Sequence, residues 1–299
     1  MFKRIKSPSV RIKSIRNLWI LACFAVLTSG LAGADIKSAR SDPVGFFSLE
    51  LSANSDGLLS SAFHRGPAYV GKVSSIINGN TITLDRGNFT EAQFADTHYA
   101  LFVDGDREGL WAPIVANRKN RLELTFVNED LGDTEGDRVM AGDSVSIIPF
   151  WTPATLLPES VASEATELLV FSRNVPGTNL SAAAVYRYVS GKGWYHEVEV
   201  ANHLPIYPDE SVVLRNKEDA PLSLTQFGNV PLSAFRTVLS PVMEHVDQDL
   251  RLTTGLPVSV ALRDLIDPGS DGVGDQILIF DHEQGGVNRE AKVTATYVE

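Results

Sequence analysis

The sequence predicts an all-β protein, an antiparallel sandwich or barrel built as two β domains that follow an N-terminal signal helix. Short strand-like stretches recur at regular spacing, and 23 glycines and 15 prolines separate them. No stretch shows the long 3.6-residue apolar period of a buried amphipathic helix. One strand-loop-strand pattern also occurs twice, which adds further strands to the C-terminal half. We therefore predict a signal peptide at 1–34 and β domains at 35–150 and 151–299.

The repeated pattern covers residues 166–189, the first segment, and residues 275–298, the second segment. They align without a gap, and 7 of the 24 aligned positions are identical, where average composition gives roughly one or two. The identical pairs are Leu169/Leu278, Phe171/Phe280, Gly177/Gly286, Asn179/Asn288, Ala182/Ala291, Tyr188/Tyr297 and Val189/Val298. We interpret the segments as one packing unit used twice. Two unrelated hairpins that look alike are the alternative.

The polarity pattern of both segments fits two strands joined by a loop. Each opens with an apolar run, at 168–171 and 277–280, which suits a strand buried on both faces, although periodicity alone also allows a buried helix. After the loop, apolar and polar residues alternate along 290–297, which predicts one dry and one wet face. In the first segment Tyr186 and Tyr188 occupy dry positions. The sequence stops before a return strand after the second segment, so its last strand pairs elsewhere or the chain is shorter than related chains.

Residues 1–34 have the pattern of an export signal. Six basic residues and no acidic residue precede or flank the apolar run 18–27, and Ala32-Gly33-Ala34 supplies a small-x-small cleavage pattern. The apolar run is shorter than the roughly 18 residues that a membrane span needs. We therefore expect no membrane span after signal removal, with a retained N-terminal anchor as the alternative. A lipoprotein signal at Cys23 fits less well, because the apolar run continues beyond it.

Removal of the leader changes the charge and the cysteine content. The leader carries 6 of the 26 basic residues and none of the 37 acidic ones, which leaves 20 against 37 and a net charge of −17. This balance argues against nucleic acid or an anionic membrane as partner. Cys23, the sole cysteine, leaves with the leader, so the mature chain must be stabilised by burial rather than by disulfides.

The N-terminal domain is predicted as a series of short strands. The strongest local signal is Asn78-Gly79 between two strand-like stretches, which predicts a hairpin with a type I′ turn. The other predicted strands are 47–51, 98–103, 109–115, 122–127 and 145–148. Residues 151–158, with two prolines, break the β pattern and mark the predicted domain boundary.

The C-terminal domain contains the two segments and weaker strand signals between them. Further strands are predicted at 194–200, 212–214, 222–227 and 232–239. Residues 240–246 suit a short helix, and the apolar spacing of 258–266 suits either a strand or one to two helical turns.

Several of these landmarks together resemble an uncharacterised family of exported, β-rich bacterial proteins. The motifs that carry the resemblance are Asp42-Pro43-Val44-Gly45, Gly79-Asn80-Thr81-Ile82-Thr83-Leu84, Glu108-Gly109-Leu110-Trp111, Gly142-Asp143-Ser144-Val145-Ser146-Ile147-Ile148-Pro149, Trp151-Thr152, Thr155-Leu156-Leu157-Pro158, Thr166-Glu167-Leu168-Leu169 and 191–194. They span nearly all of the mature chain and are structural rather than chemical. The resemblance implies export and a β fold, and it carries over no catalytic residue. The chain departs from the family pattern at its end, where a tyrosine- and tryptophan-rich return strand does not follow.

Motifs for nucleophilic or zinc-dependent catalysis are missing from the sequence. There is no G-x-S-x-G elbow and no cysteine after the leader. His196-Glu197 is not followed by a histidine at the spacing of a zinc helix. The sequence therefore names no catalytic residue.

The acidic loops are the best remaining chemical signal. Asp267, Asp271 and Asp275 lie four residues apart around glycines, and oxygen ligands on a tight loop are what calcium prefers. The loop does not match an EF-hand, because Gly269 and Leu278 occupy two ligand positions. These three aspartates are the candidate calcium site, and solvated turns between strands are the favoured interpretation. Similar acidic clusters occur at 104–108 and 130–137.

Paired carboxylates and aromatic residues allow a glycan-directed alternative. Two acids roughly 5–10 Å apart can hydrolyse a glycosidic bond, and tryptophans can stack on sugars. Trp111, Trp151, Trp194 and the tyrosines near them fit a sugar platform, but core packing is the favoured interpretation.

The sequence thus predicts an exported, non-enzymatic structural or binding protein of the cell envelope or extracellular space. Its partner is an unidentified envelope or extracellular molecule, with a glycan among the options. A secreted polysaccharide hydrolase and a calcium-stabilised adhesive module are the alternatives.

Overall fold

The structure is a computed structural model, and it describes residues 43–60, 62–126, 129–132, 136–237, 246–253, 257–262, 275–280 and 285–296. The predicted signal peptide at 1–34 lies outside these residues, as does nearly all of the predicted helix at 240–246. The fold is all-β with antiparallel sheets, which confirms the predicted fold class.

Six strands form a closed barrel. The strands are β3 (Tyr69–Asn78), β4 (Thr81–Leu84), β5 (His98–Phe102), β6 (Trp111–Arg118), β7 (Arg121–Leu124) and β8 (Ser144–Pro149). They close in the order β3-β4-β7-β6-β5-β8. Alternate side chains such as Leu122 and Leu124 point inward and are fully buried, while Arg121 and Glu123 between them are exposed. The barrel interior is therefore a packed apolar core of the kind that this alternation predicts.

The predicted hairpin at 73–84 is confirmed, with its first strand starting earlier, at Tyr69, but its turn is not the predicted type I′. Asn78 lies opposite Thr81, so the two turn residues are Gly79 and Asn80, one position further along the chain. Neither residue has a positive φ. A register shift between Ile76 and Asn78 moves the turn, and the Asn78 side chain accepts a hydrogen bond from the Asn80 N–H.

A six-stranded sheet and a two-stranded sheet share a second core. The larger sheet contains β2 (Ser55–Ser60), β9 (Thr166–Val170), β10 (Ala184–Val189), β11 (Gly193–His196), β12 (Glu199–Val200) and β13 (Ser211–Asn216), in the order β12-β11-β10-β9-β13-β2. The smaller sheet pairs β1 (Val44–Leu51) with β14 (Leu222–Asn229). Buried side chains from both sheets, among them Leu51, Leu168, Trp194 and Leu224, pack into one cluster. The two sheets therefore form a sandwich.

The first two strands hydrogen-bond to strands of the C-terminal half. β1 pairs with β14, and β2 pairs with β13. The barrel ends at Pro149, and a short helix α1 (Pro153–Leu156) follows close to the predicted boundary. The division into 35–150 and 151–299 stays a prediction, although residues 44–60 pair with the sandwich strands.

Two of the weaker strand predictions are wrong. The stretch 194–200 is not one strand, because Glu197 has a φ of 53° and turns the chain between β11 and β12. Residues 232–237 form no strand; Arg236 N–H instead donates to the Gly109 carbonyl at the edge of the barrel. Residues 258–262, the described part of the stretch that suited a strand or a helix, are irregular apart from one 3₁₀ residue at Leu262.

The strands of the two segments pair in the same register. In the first segment β9 pairs with β10, and Val170 lies opposite Ala184. In the second segment β15 (Gln276–Ile279) pairs with β16 (Val293–Thr296), and Ile279 lies opposite Val293 at the corresponding positions. β13 and β11 flank the first pair, whereas β15 and β16 pair only with each other among the described strands.

The loops of the two segments also share their unusual backbone angles. Gly177 has a φ of 122° and Gly286 a φ of 120°. Asn179 and Asn288 lie in the left-handed region with φ of 52° and 50°. Only glycine adopts the first of these conformations readily, and asparagine is among the residues that tolerate the second. The identical loop residues therefore correspond to one loop conformation.

Candidate functional site

The candidate site is a small charged cavity beside the first segment. Its walls come from three stretches of chain: 171–173 after β9, Glu210 and Ser211 at the start of β13, and 249–251. Glu210 and Leu252 form an antiparallel bridge, which places the third stretch beside the second. The cavity has a volume of about 10 Å³, which is room for about one water molecule.

Asp209 is the most deeply buried carboxylate of this region, with 2% of its surface exposed. Arg173 Nη1 donates a hydrogen bond to its Oδ1 over 2.6 Å. Burial raises the pKa of Asp209, and Arg173 offsets part of that rise. The pair joins the first segment to the start of β13.

Glu210 is 8% exposed and lies next to Asp209 in the chain. Burial raises its pKa to about 7, and the neighbouring Asp209 carboxylate adds to the rise. The Tyr207 N–H donates a hydrogen bond to Glu210 Oε2 over 3.4 Å, and this contact and Arg173 lower the pKa in part. Glu210 is therefore a buried acid whose charge changes near neutral pH.

The opposite wall carries a second arginine and a third carboxylate. The Arg251 guanidinium carbon lies 3.3 Å from the centre of the Phe171 ring, a cation–π contact, and burial lowers the pKa of this arginine. The Asp249 carboxylate accepts a hydrogen bond from the Asn179 N–H over 2.7 Å. The charged groups around the cavity are thus engaged by groups of the same chain.

Of the aromatic residues that suited a sugar platform, Trp194, Tyr186 and Tyr188 are buried, whereas Trp111 and Trp151 are partly buried. Trp194 is 1% exposed, and its indole N–H donates to the Leu157 carbonyl. Trp111 stacks against Phe235 with the ring planes 11° apart. The Trp151 indole N–H donates to the Phe63 carbonyl. Tyr186 and Tyr188 are buried on the face that the alternation predicts as dry.

A second buried polar pair joins His64 to Tyr99 on the barrel strand β5. His64 Nδ1 and the Tyr99 hydroxyl share a hydrogen bond, and both side chains are buried. Burial lowers the pKa of His64 to about 4 and raises the pKa of Tyr99. The two groups are therefore neutral at physiological pH.

The predicted calcium site is described at one of its three residues. Asp275 is exposed and immediately precedes β15, and Asp267 and Asp271 lie outside the described residues. The described part of the chain contains no group of three histidine, cysteine or acidic side chains placed to hold a metal ion. In the acidic cluster at 130–137, Arg107 pairs with Asp137 over 2.9 Å. The calcium site stays a prediction.

Sequence reasoning missed Asp209 and Glu210. The available signal was a pair of adjacent acids just before the apolar strand that includes Ser211 to Leu214. When a strand starts inside a core, the residues next to its first position are buried as well. That signal is weak in a chain with 37 acidic residues. The partners Arg173 and Arg251 come from distant parts of the sequence.

Comparisons with protein-family models, curated proteins and solved structures find no match to this chain. In the residues that the structure describes, no helix has the length and apolar character needed to cross a bilayer. The function is therefore inferred from the charges and contacts of the chain itself.

Proposed function

We propose that the protein is an exported, non-enzymatic structural or binding protein of the cell envelope or extracellular space. The observation that carries the proposal is the charged cavity beside the first segment. Its volume of about 10 Å³ leaves room for about one water molecule, and Asp209 beside it is held by Arg173. The charged groups of this small cavity are thus engaged by groups of the same chain, and its volume leaves no room for a sugar unit.

The size of the cavity separates this proposal from an enzymatic one. Pockets that bind small molecules usually have volumes of roughly 300 Å³ or more. A glycosidase also needs its two carboxyl groups on either side of a sugar ring, roughly 5–10 Å apart. Asp209 and Glu210 are adjacent in the chain, and their surroundings are protein rather than open solvent.

Export is supported by the sequence of the leader. A basic stretch, an apolar run at 18–27 and the small residues Ala32 and Ala34 form the three parts of a cleavable signal. The full chain, expressed in a bacterial host, would be recovered from cell fractions and its N-terminus sequenced. We expect a mature chain that starts at Asp35. A cytoplasmic chain that keeps Met1 would contradict export.

A secreted polysaccharide hydrolase is the second candidate, and Glu210 is the observation that favours it. Its pKa of about 7 makes it a proton donor at neutral pH, beside a second carboxylate held by an arginine. Two carboxylates in contrasting environments are typical of an acid–base pair. This candidate requires the cavity to open further than it does here.

One assay separates the two candidates. The wild-type protein and a Glu210→Gln variant are incubated with a panel of polysaccharides, and new reducing ends are measured. We expect no turnover above buffer for either protein. Turnover by the wild type that the Glu210→Gln variant lacks would establish the hydrolase and contradict our proposal.

A further inference from the structure

The loop of the second segment holds an aspartate from the other end of the chain. The Asp56 N–H donates to the Gly286 carbonyl over 3.0 Å, and the Asn288 N–H donates to Asp56 Oδ2 over 3.0 Å. The Gly286 N–H donates to the hydroxyl of Ser55, the residue before the aspartate, over 2.8 Å. Two hydrogen bonds thus hold the backbone and the carboxylate of Asp56, and a third holds the side chain of Ser55 beside it.

The loop of the first segment holds a different aspartate in the same way. The Asp249 N–H donates to the Gly177 carbonyl over 3.1 Å, and the Asn179 N–H donates to Asp249 Oδ2 over 2.7 Å. The Gly177 N–H donates to the carbonyl of Asp247, two residues before the bound aspartate, over 3.0 Å. In both loops the aspartate N–H donates to the glycine carbonyl, and the asparagine N–H donates to the aspartate Oδ2. The two bound aspartates come from different parts of the chain.

We infer that the Gly-x-Asn loop of each segment is an aspartate-binding site, and that its ligand class is an aspartate on an extended chain. The glycine carbonyl accepts the backbone N–H of the aspartate, and the asparagine N–H binds its carboxylate. The glycine N–H binds an oxygen just before the aspartate, the Ser55 hydroxyl in one loop and the Asp247 carbonyl in the other. In this molecule Asp249 fills the first site and Asp56 fills the second. The inference goes beyond the proposed function, because it rests on the contacts of the two loops and not on export; Asp249 of the first site also lines the charged cavity.

The backbone angles of the loop explain why these two residue types are needed. Glycine at a φ near +120° turns its carbonyl and its N–H toward the bound chain. Asparagine in the left-handed region then directs its N–H at the same partner. A hydrogen bond from a backbone N–H to an ionised carboxylate is shorter and stronger than one between neutral groups. The loop therefore prefers a carboxylate to a neutral side chain.

The second site carries additional groups that recognise the carboxylate. Arg215 donates to both oxygens of Asp56, over 2.7 and 2.8 Å, and also to the Asn288 side chain over 2.9 Å. Arg289 Nη2 donates to the Asp56 carbonyl over 2.7 Å. Removal of the Asp56 side chain would leave these cationic and N–H donors around a space the size of a carboxylate.

This arrangement allows a chemical test with a free carboxylate as the ligand. An Asp56→Gly variant of the full chain removes the atoms that an acetate ion replaces. The matched control is Asp219→Gly, which removes an exposed carboxylate that accepts only from the Asn54 side chain among its described bonds. Melting temperatures of wild type and both variants are measured in sodium acetate and in sodium chloride at equal ionic strength.

We expect acetate to raise the melting temperature of Asp56→Gly above its value in chloride, and to leave the wild type and Asp219→Gly unchanged. Equal melting temperatures of Asp56→Gly in the two salts would overturn the inference. If Asp56→Gly does not fold, Asp249→Gly tests the first loop in the same assay. A third variant, Asp56→Asn, keeps the shape and removes the charge. An NMR amide proton of Asn288 that does not move in Asp56→Asn would also overturn the inference.

Discussion

Arg215 on β13 binds the carboxylate of Asp56 on β2 through two parallel hydrogen bonds of 2.7 and 2.8 Å. The two residues lie directly opposite each other in the strand pairing, and both side chains are mostly buried. The same carboxylate also accepts the Asn288 N–H. One aspartate therefore joins an edge strand of the sandwich to the second segment.

Replacement of this arginine by lysine tests the geometry of the pair. Arg215→Lys keeps the charge but loses the planar fork that contacts both oxygens. We expect the free energy of unfolding to fall by about 1.5–3 kcal/mol, the size of one lost hydrogen bond to a charged group. Urea titration measures it. The control is Arg118→Lys at an exposed site, and an equal loss in both variants would contradict a specific role for the fork.

The loop glycines of the two segments should respond alike to a single added methyl group. The added Cβ atom would lie no closer than 3.4 Å to another heavy atom in Gly177→Ala and 3.7 Å in Gly286→Ala. The loss of stability therefore comes from holding alanine in a left-handed backbone conformation rather than from a clash. We expect each variant to lose about 1–2 kcal/mol in thermal or urea unfolding. Gly66→Ala, at an open position without positive φ, is the control and should lie within about 0.5 kcal/mol of wild type. A large difference between the two loop variants would argue against one shared loop conformation.

Glu210 and His64 should give opposite contributions to stability as pH changes. Glu210 has a pKa of about 7 in the fold, so its contribution is complete below about 4.5 and is lost as pH rises to about 7. His64 has a pKa of about 4, so its contribution is complete above about 6.5 and is lost as pH falls to about 4. Between about pH 4.5 and 6.5 the two slopes cancel.

A Glu210→Gln variant isolates the first of these slopes. Its free energy of unfolding, measured relative to wild type, should rise between about pH 4.5 and 7 by up to about 1.4 kcal/mol per pH unit and stay constant above pH 7. Urea titrations at a series of pH values measure this difference. The control is Glu199→Gln, which removes an exposed carboxylate outside the cavity. A difference that is independent of pH would show that folding does not raise the pKa of Glu210.

The hydrogen bond between Tyr99 and His64 should be worth more than a surface bond of the same kind. Tyr99→Phe leaves a buried ring nitrogen of His64 without this partner, and we expect a loss of about 1–3 kcal/mol in urea unfolding. Tyr69→Phe removes a hydroxyl that donates to the Arg86 carbonyl in an exposed bond, so its loss should be smaller. The reverse order would contradict the assigned burial of the pair.

The parts of the fold that follow from local pattern could be predicted from the sequence. In β7 the alternation of Leu122 and Leu124 with charged residues predicts one buried face, and the structure has it. β2 was not predicted, because Ser55-Asp56-Gly57 has the composition of a turn. It becomes a strand through its pairing with β13, where Arg215 faces Asp56. Tertiary partners therefore override the local preference.

The charged cavity could not be predicted, because its chemistry depends on contacts between distant stretches. Asp209 and Glu210 are two acids among many until burial and Arg173 change their properties. The loops of the two segments could be predicted in part. Their glycine and asparagine were visible as identities in the alignment, but their ligands Asp56 and Asp249 have no shared sequence context.

The most direct measurement compares the backbone amide proton signals of Asn179 and Asn288 by NMR in the full chain and in two variants. Both amides donate to an aspartate carboxylate, and a neutral side-chain amide is a weaker acceptor than an ionised carboxylate. We predict that Asp56→Asn shifts the Asn288 signal upfield and leaves the Asn179 signal in place, and that Asp249→Asn does the reverse. If either amide keeps its position in the variant of its own aspartate, the two loops do not bind aspartate by one chemistry.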